Sequence, residues 1–212
     1  MRIASEGYPF IAVTSVLMVI PLLVSGYGWL SAIPLSLTLF ILYFFRDPDR
    51  DIPTNPDVLV APADGRIIVC DEVFEQEFLM SQCTMISIFM SPLDVHINRM
   101  PCDCKILDVI HKKGKFLSAF KPEAPVVNES IAIVVQSHYG KILIRQVAGF
   151  VARRAVCWGK VGDDYKRGER FGLIKFSSRV DIYLPTSIRV NVSIKERVKA
   201  GETIIGELKK QS

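Results

Sequence analysis

The sequence predicts a mainly β protein: a compact barrel- or sandwich-like domain with lipoyl-like half-barrel elements, preceded by an N-terminal α-helical membrane hairpin. No charged side chain occurs between Glu6 and Arg46, and the chain after Val58 breaks into short runs rich in Ile and Val. No long segment with a 3.6-residue apolar period follows residue 50.

The uncharged interval of 39 residues is longer than a surface helix of a soluble protein tolerates. Ser25-Gly26-Tyr27-Gly28 interrupts it with turn-forming glycines and leaves apolar segments of about 18 and 17 residues. Each segment is at the lower limit for a hydrocarbon core of roughly 30 Å. Pro21 and Pro34 favour kinks, so spanning and re-entrant arrangements both stay open. Arg2 precedes the first segment, Arg46 and Arg50 follow the second, and the turn carries no Lys or Arg. The positive-inside tendency then puts both ends, and the domain that follows, on the cytoplasmic side of the cell membrane. A cleaved signal peptide is disfavoured because the apolar region is long and doubled.

Arg46 to Pro53 is a charged, proline-punctuated linker, so the expected domains are 1–45, the anchor, and 46–212, the β-rich part. The expected strands are Arg66–Val69, Met85–Met90, Cys104–Ile110, Ile131–Val135, Lys141–Val147, Val180–Leu184 and Val190–Ile194, several of which alternate apolar with polar residues. Ala61-Pro62-Ala63-Asp64-Gly65-Arg66-Ile67 and Val198 to Gly206 read as the turn and strand of a lipoyl-type half-barrel. No lysine is displayed on a hairpin tip as a biotin or lipoyl carrier requires.

Half of the 212 residues are apolar, enough for a sizeable core, and the net charge of +4 comes without a polybasic run. A nucleic-acid partner is not expected. Basic residues do cluster at Lys112, Lys113 and Lys115, at Arg153 and Arg154, and at Lys166, Arg167 and Arg170, where solvated surface is the plain reading. The five cysteines are an odd set without repeating spacing, which points to a reducing compartment and to no metal site.

Three histidines are available for chemistry. His96 lies in the proline-bounded segment Ser91–Pro101 directly after an apolar strand, where a scaffold presents functional groups. His111 opens the basic stretch His111-Lys112-Lys113-Gly114-Lys115, and His138 falls in a hairpin turn, Ser137–Gly140. Asp64 taken alone is a turn aspartate, and Ser178, in Gly172–Asp181, a strand-edge serine. A carboxylate, an imidazole and a serine can be arranged so that the acid orients the base and the base activates the hydroxyl.

Arg46-Asp47-Pro48, Ala61-Pro62-Ala63-Asp64-Gly65, Ser91-Pro92-Leu93-Asp94-Val95-His96, Asn98-Arg99-Met100-Pro101, His111 to Phe116, Asn128-Glu129, Gly168 to Phe176 and Ser178-Arg179-Val180-Asp181 follow one another in order. In these motifs the chain resembles the phosphatidylserine decarboxylase family, in its short proenzyme type, archaetidylserine decarboxylases included. The resemblance covers residues 46 to 206.

The resemblance implies a proenzyme that cuts itself between Ser177 and Ser178, the Ser178 hydroxyl attacking the preceding carbonyl and the residue becoming an N-terminal pyruvoyl group. That group takes the place of an external cofactor, giving the electron sink for CO2 loss that pyridoxal phosphate gives elsewhere. Chains 1–177 and 178–212 are expected to stay associated, with a phospholipid substrate, a membrane partner and an open oligomeric state. Asp64 matches the aspartate that orients a histidine for the cut, and His96 the first histidine of the family's Asp-x-His segment. Longer members have a second histidine where Arg99 stands here, so either His96 serves both steps, the preferred reading, or His111 is a second base. Ser177 replaces the usual glycine, and a serine restricts φ where glycine does not. The rival readings are a membrane-tethered serine hydrolase using Ser178 with His96 or Lys175, and a non-enzymatic lipoyl-like binding module. The absence of a Gly-x-Ser-x-Gly elbow speaks against the hydrolase.

Overall fold

The computed structural model describes residues 2–24, 27–114, 128–149, 154–175 and 178–209. The chain divides into two compact units, Met1–Asp49 and Arg50–Ser212.

In the first unit, β1 (Arg2–Ile3) pairs antiparallel with β2 (Arg46–Asp47), and α1 (Tyr8–Leu23) and α2 (Ala32–Phe44) lie between them in sequence. Hydroxyls tie the helices together within an apolar surface. Thr38 Oγ1 donates to Thr14 Oγ1 at 2.8 Å, and Ser31 Oγ donates to the Met18 carbonyl at 2.9 Å. Such bonds keep side-chain polar groups satisfied without water. Val13, Val16, Leu23, Ile33 and Leu39 are all more than half exposed. Ser5–Leu23, 19 residues, is long and apolar enough to cross a membrane, whereas Gly28–Phe44 is shorter. The two comparable spans expected from the sequence reduce to one candidate. The second segment opens with a 3-10 turn, Gly28–Ser31, before its α-helix begins.

The second unit is built of strands: β3 (Val58–Val60), β4 (Gly65–Glu75), β5 (Ser81–Met90), β6 (Ile97–Arg99), β7 (Cys104–Lys112), β8 (Ser130–Ser137), β9 (Gly140–Ala148), β10 (Ala155–Cys157), β11 (Asp164–Tyr165), β12 (Arg170–Ile174), β13 (Ser178–Pro185), β14 (Ile188–Val190), β15 (Arg197–Val198) and β16 (Ile204–Leu208). Eight of them form one curled half-barrel sheet in the order β11-β7-β8-β9-β13-β5-β4-β15, with antiparallel pairs throughout. The remaining strands form two three-stranded sheets, β10-β12-β6 and β14-β16-β3.

Successive side chains leave opposite faces of a strand, and the apolar alternation of the sequence sorts accordingly. Ile86, Ile88 and Met90 of β5, Ile142, Ile144 and Ala148 of β9, and Val180, Ile182 and Leu184 of β13 join one core cluster. Cys83, Leu143 and Tyr183 join a second. β13 is therefore buried on both faces, with β5 on one side and β9 on the other.

One expected strand is misplaced. β14 ends at Val190, and Ile194 sits in a turn that Glu196 closes by accepting the Ser193 N–H at 2.9 Å. Lys195 next to it has φ +76°, a conformation in which the chain cannot continue as a strand. His138 does occupy the β8–β9 hairpin turn, between the paired residues Ser137 and Gly140.

Candidate active site

Ser178 is the first residue of β13, paired with Met90 of β5 on one side and Ala148 of β9 on the other. It is fully buried, and its hydroxyl donates to the thioether of Met90 at 3.4 Å. A thioether is a weak acceptor, so the hydroxyl is held without being strongly engaged. Ser177, the other half of the expected cut, lies outside the described residues.

The residue after Ser178 faces the other side of the sheet. Arg179 Nε donates to Asp181 Oδ1 at 2.5 Å and its Nη2 to Ser87 Oγ at 2.8 Å, all three residues being buried. This ion pair fastens the strand immediately after Ser178. Arg179→Leu strands the Asp181 carboxylate and is expected to cost about 3–5 kcal/mol, read as a lowered midpoint in urea unfolding.

His96 is buried beside the strand that leads towards Ser178. Its carbonyl accepts the Ile174 N–H at 3.3 Å, continuing the β6–β12 ladder in which Ile97 pairs with Leu173. Its Nδ1 is 2.9 Å from the Asp94 carbonyl. A carbonyl only accepts, so this contact assigns the proton to Nδ1 and makes Nε2 the basic nitrogen.

Asp64 comes alongside through an antiparallel progression: the Val60 N–H donates to the Pro101 carbonyl and the Arg99 N–H to the Pro62 carbonyl, both at 2.9 Å. The segment just before Asp64 therefore runs beside the end of β6, and the chain then bends through Asp64 into β4. Gly65 makes the close approach of this turn to β5 possible, since a Cβ there would stand 2.1 Å from the Phe89 carbonyl oxygen. Asp64 is not bonded to His96. Arg50 Nη2 donates to both its oxygens, at 2.9 and 2.8 Å, and the Ala200 N–H donates to Oδ1 at 2.8 Å.

Burial raises the Asp64 carboxyl above its ordinary 3.8, against the opposing pull of the Arg50 charge and of the hydrogen bonds from Ala200 and Arg50. The folded chain thus holds this proton more tightly than the unfolded chain does. Ionised Asp64 works against folding above its folded-state pKa, and that penalty fades as pH falls through it to 3.8. If the carboxylate is the working form, the acid limb of self-cutting lies above pH 3.8, and Arg50→Leu, which removes a stabilising cation, moves it further up. A pH profile of the cutting rate measures this; a downward shift in the variant contradicts it.

The structure does not bring His111 to Ser178. It is an exposed residue of β7, level with Ile131 of β8, Gln146 of β9 and Val180 of β13. Three strand spacings, about 14 Å along the sheet, separate it from β13. Arg99, at the position of the family's second histidine, is buried and donates from Nη1 to the Gly168 carbonyl at 2.9 Å.

Sequence reasoning missed Arg50, read as a membrane-flanking charge like Arg46; its side chain is 5% exposed and pairs with Asp64. Met90, Asn98 and Gln146 were also missed. Their side chains meet one another around Ser178, through contacts that no local pattern announces.

The family model for phosphatidylserine decarboxylase matches residues 37–206. The chain belongs to the phosphatidylserine decarboxylase family. It is 46% identical over 211 residues to the phosphatidylserine decarboxylase proenzyme of Geobacter sulfurreducens, covering 97% of this chain and 96% of that one. It is 44% identical over 207 residues to that of Desulfotalea psychrophila, with 97% and 96% covered. The proenzyme of Syntrophus aciditrophicus is 42% identical over 205 residues, with 96% of each chain covered. As a member of this decarboxylase family the chain is a carboxy-lyase. Asp64, His96 and Ser178 all fall inside the segment matched by the family model, and α1 falls outside it.

Proposed function

We propose that this chain is a self-processing, pyruvoyl-dependent decarboxylase that converts phosphatidylserine, or its archaeal ether analogue, into the ethanolamine phospholipid and CO2. The observation that carries the reading is Ser178 itself: a buried serine at the first position of a strand hydrogen-bonded on both sides, in a chain whose relatives are named proenzymes. The Ser178 hydroxyl attacks the carbonyl of residue 177 and converts the amide to an ester. Loss of the Cα proton of residue 178 then expels chain 1–177 as a carboxylate. Hydrolysis of the resulting dehydroalanine takes up water, releases ammonia and leaves a pyruvoyl group on chain 178–212.

His96, basic at Nε2, is the base of this sequence, and Asp64, held by Arg50, is the carboxylate that assists it. The surroundings of Ser178 fit the group. Its hydroxyl donates only to a thioether, so changing it to a keto oxygen forfeits one weak bond. Once formed, the keto group would supply the carbonyl for the substrate amine and the electron sink for loss of CO2. The chain's own residues hold that group in a dry, paired strand end, and the two fragments stay joined because β13 pairs with β5 and β9 of the longer chain.

Exposed apolar side chains along α1 and α2, with Arg2 and Arg46 in the paired strands β1 and β2, support anchoring in the cell membrane with both ends cytoplasmic. The serine-hydrolase reading finds no support, since the Ser178 hydroxyl is bonded to Met90 rather than to an imidazole. The non-enzymatic binding module finds none in the family.

The test is release of labelled CO2 from carboxyl-labelled phosphatidylserine by the purified chain. Release that stops with hydroxylamine, which captures carbonyl groups, and that needs no added pyridoxal phosphate is the expected result. Release that survives hydroxylamine contradicts the reading.

A further inference from the structure

Gln146 and Asn98 are both fully buried, and the processing chemistry above uses neither. Gln146 lies on β9 level with Val180 and two residues from Ala148, the partner of Ser178, so its side chain shares their inner face. Its Nε2 donates to Asn98 Oδ1 at 2.8 Å and, at 3.4 Å, to the Val156 carbonyl. Its Oε1 is buried and has no hydrogen-bond partner among the described residues. Asn98 Nδ2 donates to Met90 Sδ at 3.8 Å, the same sulfur that receives the Ser178 hydroxyl at 3.4 Å. Asn98 also stands two residues after His96, whose carbonyl continues the β6–β12 ladder, so both side chains leave the same face. Gly172 of β12 closes over the pair: a Cβ there would lie 3.1 Å from Gln146 Nε2 and 2.2 Å from the Val156 carbonyl oxygen.

Burying one amide with an idle carbonyl, and another whose NH2 meets only a thioether among the described residues, works against folding. Two apolar side chains of the same volume would serve the core better, so the pair calls for a reason outside stability. We infer that Asn98 and Gln146 form the recognition subsite for the primary amine of an α-amino-acid headgroup arriving at residue 178. Gln146 Oε1 accepts an N–H of that amine, Asn98 Nδ2 donates to the oxygen borne by residue 178, and Gln146 Nε2 fixes the orientation of Asn98. Neutral amides suit this place. A cation would hold the substrate carboxylate and oppose loss of CO2, whereas an amide pair orients the amine and leaves the carboxylate without a counter-charge. The inference rests on Ser178 being the processed residue.

The deciding variant is Asn98→Leu with Gln146→Met, which removes both amides together, keeps the side-chain shapes and leaves neither amide facing an unpaired amide, the Val156 carbonyl losing only its long 3.4 Å bond. It is expected to unfold at a temperature no lower than the parent and to give the same two fragments. Capping of the 178–212 fragment by methoxyamine, a small primary-amine probe followed by mass, is expected to slow by on the order of tenfold, the loss of about one good hydrogen bond. The KM for phosphatidylserine rises with it. Capping and turnover equal to the parent in a fully cut double variant overturn the inference. Should the pair not fold, Gln146→Met alone, which leaves Asn98 unoriented, decides in the same way: slower capping supports the subsite and unchanged capping overturns it. A parent chain that stays uncut instead overturns the reading of Ser178, and this inference with it.

Discussion

Ser178→Ala is expected to yield a single uncut chain that folds normally and releases no CO2 from phosphatidylserine. The substitution removes one oxygen from a fully buried side chain whose hydroxyl, among the described residues, bonds to the Met90 thioether, so stability changes little. Chemistry loses both the nucleophile of the cut and the precursor of the carbonyl. Mass spectrometry, thermal unfolding and the decarboxylation assay on one preparation separate these effects. A variant that still cuts at this junction, or that stays whole and active, denies Ser178 its role.

His96→Ala is the second large effect. General-base assistance contributes typically about 10²–10⁴-fold, and the cut is expected to slow by that range while the fold persists. Asp64 already has Arg50 and Ala200 as partners and is not left with an empty site. The cut can be timed on a gel, and imidazole added to the variant should restore part of the rate through the space vacated. An unchanged rate in His96→Ala would transfer the role to another base; His111→Ala, changing an exposed residue three strands away, is expected to cut at the parental rate. Ser177→Gly, which restores a backbone free to adopt the strained conformations that expose a carbonyl to attack, is expected to cut faster than the parent.

The half-barrel was legible because its strands carry a two-residue alternation that burial enforces: Val180, Ile182 and Leu184 face one core cluster while Tyr183 faces the other. The same logic failed at Val190–Ile194, where apolar residues continue into a turn that Glu196 closes and Lys195 bends. The second apolar segment had the composition of a span, but its helix starts late, after a 3-10 turn that hydropathy cannot distinguish from α-helix. At the site, Ser178, His96 and Asp64 stood in recognisable motifs. Their partners did not. Arg50 reaches Asp64 across 14 residues, Gln146 reaches Asn98 across 48, and Ser178 reaches Met90 across 88. Those meetings are consequences of sheet register, which a single sequence does not print. Asp64 is held by Arg50 and the Ala200 N–H, and His96 meets the Asp94 carbonyl.

Whether this chain matures by cutting itself before Ser178 is read from the intact mass of the purified protein. Two species are expected, residues 1–177 and residues 178–212, the second carrying a pyruvoyl group in place of its N-terminal serine and therefore refractory to amine-directed sequencing. A single species with the mass of all 212 residues, from a preparation that nevertheless decarboxylates phosphatidylserine, would contradict it.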